Sequence, residues 1–148
     1  MIRKVAISIA VLFLPLTTLV FAEQQAVVLV ADLSSPLDGL SSIQLKKIYL
    51  GQRVDFDGHP IKALRNASDP RLERIFLQSV VSMSKASYDR RLLSLTLRSG
   101  TPRPPILSEW NKIIEALSDD PHAVTYAWLS DARKASALKI LRVLWIQE

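Results

Sequence analysis

Three short stretches of the sequence gather side chains of the kind that hold small oxyanions. Ser34 and Ser35 follow an apolar run. Asn66, Ser68 and Arg71 surround the start of a helical pattern, and Ser99, Gly100 and Thr101 precede a proline-rich loop. Hydroxyls, amides and backbone N–H groups at a helix N-terminus, with one guanidinium, are the donors such a ligand needs. Asp69 stands inside the second group, where a carboxylate competes with an anion for the same donors. Each group also has a purely local use. Ser68 and Asp69 are capping residues, Ser34 and Ser35 suit a turn, and Arg71 suits a solvated helix face.

Other chemistry lacks its parts. The chain has no cysteine and two histidines, His59 and His122. It contains no Gly-x-Ser-x-Gly, no His-Glu-x-x-His and no phosphate-cradling glycine loop, so a hydrolytic or nucleotide-driven enzyme has no support. Asp55, Asp57 and His59 alternate, but an Asp57-Gly58 turn accounts for them without a metal. The paired Asp119 and Asp120 follow a helix end and solvate a turn. Arginines 71, 74, 90, 91, 98 and 103 cluster in mid-chain. No basic run with interleaved aromatics accompanies them, so nucleic acid is not an expected partner. No cofactor is expected.

Elements of a small α/β fold must position these groups. Residues 26–31 form a continuous, partly β-branched apolar run, the pattern of a strand buried on both faces. The next stretch is the most fully specified. Ser41 and Gln44 make a capping box, Leu40 and Leu45 a hydrophobic staple, and Gly51 a helix stop. Val54, Phe56 and Ile61 flank the Asp57-Gly58 turn. Residues 61–64 are a candidate strand, and residues 65–68 read as a loop. Asp69 caps a helix with Pro70 at its first position and Leu72, Ile75, Phe76 and Val80 on one face. Ser84 starts a further helix, with Met83 and Tyr88 as its staple and Tyr88, Leu92 and Leu95 as a stripe widened by Leu93. Asp89, Arg90 and Arg91 are assigned to its solvated side. Residues 101–107 carry three prolines and exclude helix or central strand. Ser108 is the expected cap of a helix that buries Trp110, Ile113, Ile114 and Leu117. Residues 123–129 and 138–145 read as strands, the second with both faces partly covered. The sum is a three-layer α/β sandwich with a mixed sheet of about four strands. If the strands carry helices at their carboxyl ends, the groups at residues 34–35 and 66–71 converge at one rim of the sheet.

Residues 1–22 have the plan of a secretory signal. Arg3 and Lys4 precede an apolar run, and Val20 and Ala22 stand at the −3 and −1 positions of a cleavage site. An uncleaved anchor is the rival reading, disfavoured by Pro15 and by a run short for a membrane span. Without Arg3 and Lys4 the formal charge falls by two from +5. Residues 23–148 are then expected to form a single domain with no transmembrane segment, outside the cytoplasm and without disulfides.

The sequence also carries a resemblance. LSSIQLKKIYLGQ and FDGHPI within residues 40–61, FLQSVVSMS at 76–84, SGTPRPP at 99–105 and DPHAVTY at 120–126 occur in order. Together they resemble segments of small periplasmic proteins related to the phosphate-transporter solute-binding proteins. The resemblance implies one lobe of the type 2 periplasmic-binding fold, a periplasmic location, and non-catalytic binding of phosphate or another small oxyanion. A transporter or another envelope protein is the implied partner. The sequence departs from the pattern at Asp89, where the family often has tryptophan. It departs again at His122 and Thr125, where the family has glycines that let backbone N–H groups approach an anion. The alternative is therefore an envelope interaction or sensory accessory that keeps the fold and has lost the ligand.

Overall fold

The computed structural model describes residues 24–148. The signal segment assigned to residues 1–22 lies outside them. The central sheet has four strands in the order β4-β7-β1-β8, comprising β4 (Lys62–Ala63), β7 (Ala123–Trp128), β1 (Ala26–Asp32) and β8 (Leu138–Ile146). β1 is antiparallel to both β7 and β8, whereas β4 and β7 are parallel. The sheet is therefore mixed. Residues 26–31 are buried throughout, which accounts for the unbroken apolar run in β1.

Helices cover both faces. On one side lie α1 (Ser42–Tyr49) and α2 (Pro70–Phe76), with the N-terminal half of α3 (Lys85–Ser99). There Val27, Leu29, Tyr49, Phe76, Tyr88 and Tyr126 share one core. The Phe76 and Tyr126 rings stack with centroids 3.8 Å apart. On the other side α4 (Trp110–Asp119) and α5 (Leu129–Lys134) bury Ile113, Leu117 and Ala132 against Val28 and Val30. This is the α/β/α sandwich the periodicity predicts.

Local signals form as written. Ser41 Oγ accepts from the Gln44 N–H while Gln44 Oε1 accepts from the Ser41 N–H. Leu40 and Leu45 are both buried. The hairpin of β2 (Asp55–Phe56) and β3 (His59–Pro60) turns through Asp57 and Gly58, with φ of 49° and 79°. Positive φ at both central residues twists the turn to match the strands. The hairpin docks on the start of β7 through His59 and His122, whose rings stack at 4.7 Å.

Several expectations need correction. Residues 65–68 are not simply a loop. β5 (Arg65–Asn66) pairs in parallel with β6 (Ile106–Leu107), and Arg65 and Asn66 are buried. Ser108 does not cap α4; Glu109 holds the N-cap position without a side-chain bond. α2 continues as a π-helical turn over Leu77–Val81, closed by Ser82 at φ 61°. The wider turn rotates the chain, so Val81 takes the fully buried place expected of Val80. In α3 Leu93 is 43% exposed rather than part of the core stripe. β8 is an edge strand with both faces partly covered, as expected: Leu138 is buried in the α4/α5 core and Leu141, Leu144 and Trp145 pack on the other core, while Ile140, Val143 and Ile146 are exposed.

Candidate functional site

The carboxyl end of β7 and the N-terminus of α2 enclose a polar cleft of about 330 Å³. Its lining includes Gln24, Gln25, Asp69, Arg71, Trp128, Ser130 and Asp131. β5 sets the buried Asn66 against the Tyr126 carbonyl, and Pro70 at the first helical position fixes where α2 begins.

The donors expected to meet an anion are engaged within the protein. Asn66 Nδ2 donates to the Tyr126 carbonyl at 2.9 Å, and Asn66 Oδ1 accepts from the Ser68 N–H (3.0 Å) and hydroxyl (2.6 Å). Asp69 Oδ1 accepts from the Arg71 N–H at 2.8 Å and the Leu72 N–H at 3.4 Å. Its other oxygen accepts from Trp128 Nε1 at 2.9 Å. That indole bond, with the two backbone bonds and the Arg71 charge, holds the Asp69 carboxyl below its usual range despite partial burial. Arg71 lies over the Trp128 ring, 5.6 Å from its centroid. A carboxylate of the chain itself thus occupies the mouth of α2. With Asp131 it gives the cleft two acids against one guanidinium.

The buried end of β5 carries an ionic network. Arg65 Nη2 donates to Glu73 Oε1 at 2.8 Å and to Asp89 Oδ1 at 3.0 Å, and the guanidinium sits 4.8 Å over the Tyr88 ring. Lys85 joins through Asp89 at 2.7 Å. Burial raises the Asp89 pKa, but Lys85 and Arg65 outweigh it and hold the carboxyl below its usual range. Burial also works against the Arg65 charge, and the Glu73 hydrogen bond overcomes it, leaving the guanidinium pKa raised. Asp89, assigned to a solvated face, is therefore the ionic partner of a buried arginine.

The remaining predicted donors lie elsewhere. Because β1 runs antiparallel to β7, Ser34 and Ser35 reach the opposite end of the sheet and do not converge with the group at residues 66–71. The Ser34 N–H and hydroxyl donate to Asp32, and Ser35 Oγ accepts from the Leu37 N–H. Ser99 Oγ donates to the Leu95 carbonyl and shares a hydrogen bond with Thr101 Oγ1, and Gly100 ends α3 at φ 67°. His122 immediately precedes β7 and Thr125 lies in its first half, both away from the cleft, and Thr125 Oγ1 donates to the Leu64 carbonyl. The residues that sequence reasoning missed are Trp128, Ser130, Asp131, Arg65 and Glu73. The last two carried one weak signal, a basic and an acidic side chain flanking a helix start. Among the described residues no group of three or more His, Asp or Glu could hold a metal ion.

No protein family matches the sequence, and no curated protein matches it. Solved structures do match. An ABC-type phosphate transport receptor from Vibrio cholerae superposes with a TM-score of 0.55 at 13% identity over 80% of this chain and 46% of that chain. PstS from Borrelia burgdorferi gives 0.55 at 17% identity, covering 80% and 47%. A possible phosphate binding protein from Planctomyces limnophilus gives 0.53 at 17% identity, covering 80% and 41%. This chain spans less than half the length of each. The likeness at these identities is one of fold: the chain has the fold of one lobe of a periplasmic-binding protein.

Proposed function

We propose that this protein is a non-catalytic accessory of the cell envelope, exported by residues 1–22, that keeps a solute-binding lobe without capturing phosphate. The observation that carries the reading is Asp69. Its carboxylate accepts the backbone N–H groups and the indole N–H that an incoming oxyanion would need. A second negative charge at Asp131 opposes an anion further. The folds matched are those of a phosphate transport receptor and phosphate binding proteins, which supports descent of the lobe from a solute binder.

Arg71 at the cleft favours the other reading, a weak oxyanion binder. Calorimetric titration of residues 23–148 with phosphate and sulfate separates the two. The expected result is no saturable heat at millimolar anion for the unaltered chain, and weak binding once Asp69→Ser removes the internal carboxylate. Saturable binding by the unaltered chain, weakened by Arg71→Ala, would overturn the proposal and establish the oxyanion binder.

A further inference from the structure

A second cleft, also of about 330 Å³, lies beside β4, away from Asp69. Its walls are Ile48 from α1, Ile61 before β4, and Pro102, Pro104 and Pro105 of the loop after α3. Its lining contains three cations, Arg53, Lys62 and Arg103, and no acidic side chain. Arg53 is paired with Asp55 at 2.8 Å. Lys62 and Arg103 have no ionic partner among the described residues.

The cleft is held in shape before anything enters it. Thr96 Oγ1 donates to the Thr101 carbonyl at 2.8 Å, and the Arg65 N–H donates to the Pro105 carbonyl at 2.8 Å, so the proline loop is pinned at both ends. Between those pins three prolines fix their own φ angles. At Gly51 (φ 78°) an added Cβ would lie 2.8 Å from Thr101 Cγ2, so α1 and the loop meet there in close contact. A preformed apolar hollow forgoes much of the ordering cost of binding.

We propose that this cleft binds a small amphipathic carboxylate, a molecule with a short hydrocarbon body and one anionic head. The volume stands at the lower end of the range for small-molecule sites, and a mostly apolar lining with a few polar groups is their usual chemistry. The hydrocarbon lies against Ile48, Ile61 and the prolines, and the carboxylate meets Lys62 and Arg103. A neutral chain of equal length satisfies the walls and leaves the cations unused. A bare carboxylate does the reverse.

Decanoate below its micellar concentration is the probe, followed by NMR titration of residues 23–148, with decanol and acetate as comparisons. Saturable one-to-one binding is expected, with shift changes centred on Ile48, Ile61 and Ala63. Decanol should bind about tenfold more weakly, as should decanoate to the double variant Lys62→Ala/Arg103→Ala, the rough worth of two exposed charge contacts. Acetate should not saturate. Both replaced side chains are exposed, so the fold should survive. Equal affinity for decanol and decanoate, indifference to the double variant, shift changes centred elsewhere, or no saturation would each overturn the proposal.

Discussion

The two clefts are alike in volume and opposite in how they use their polar groups. At the carboxyl end of β7 several donors are turned inward, with Asp69 accepting three N–H groups and Asn66 holding Ser68. Beside β4 Thr96 holds the proline loop through the Thr101 carbonyl, while Lys62 and Arg103 are left open. Hydrogen-bonding capacity spent on internal order is not available to a ligand. A donor type suited to an anion can therefore be committed to internal hydrogen bonds.

The largest way to break this contrast is Glu73→Gln. It removes the carboxylate that faces the buried Arg65 guanidinium at 2.8 Å. A loss of about 3 kcal/mol is expected, because the buried guanidinium loses its buried carboxylate and keeps only the partly exposed Asp89 as an ionic partner. Denaturant unfolding should show it as a lower midpoint with little change in slope.

Gly51→Ala attacks the other region. A side chain at φ 78° is strained, and its Cβ would crowd Thr101. A loss of about 2 kcal/mol is expected, with weaker decanoate binding as the proline loop is displaced. Unchanged stability and unchanged affinity in that variant would show that the loop is not braced at this contact.

Acid gives the smallest and sharpest comparison. The folded-state carboxyl of Asp69 is held below its ordinary pKa of 3.8, so the folded chain releases that proton more readily than the unfolded chain. The resulting stability is present above that pH and is lost as the pH falls beneath it. In Asp69→Asn this part of the acid dependence should flatten, with a cost near neutral pH of about 1 kcal/mol or less. Melting curves between about pH 2 and 6 would measure both. Asp89 is held low by Lys85 and Arg65, so a residual acid dependence should remain in the variant.

What was legible in the sequence follows the range of the forces involved. The Ser41–Gln44 box, the Ser84 cap, the Gly51 stop and the Asp57-Gly58 turn depend on residues within a few positions of each other, and all four are present. The fold class follows from apolar periodicity and was also legible. Distant pairings were not. The bond from Trp128 to Asp69 spans 59 positions, and Arg65 reaches Asp89 across 24. No spacing rule connects such residues. Burial of Arg65 depends on β6 lying beside β5, and the separation of Ser34 and Ser35 from Ser68 depends on the direction of β1. Ser108 looked like a cap because its type is right, yet α4 begins one residue later, at a position where Glu109 offers no side-chain bond.

The place of β1 at the centre of the sheet has a kinetic consequence. Both of its hydrogen-bonded neighbours are the last two strands of the chain, and Ala26 faces Ile146. Until residues 123–146 are available, this buried, apolar strand has neither edge paired. Closing such sequence-distant contacts is slow. A nascent or truncated chain therefore presents β1 as a bare, aggregation-prone ribbon, and the first strand made is among the last to be sheltered.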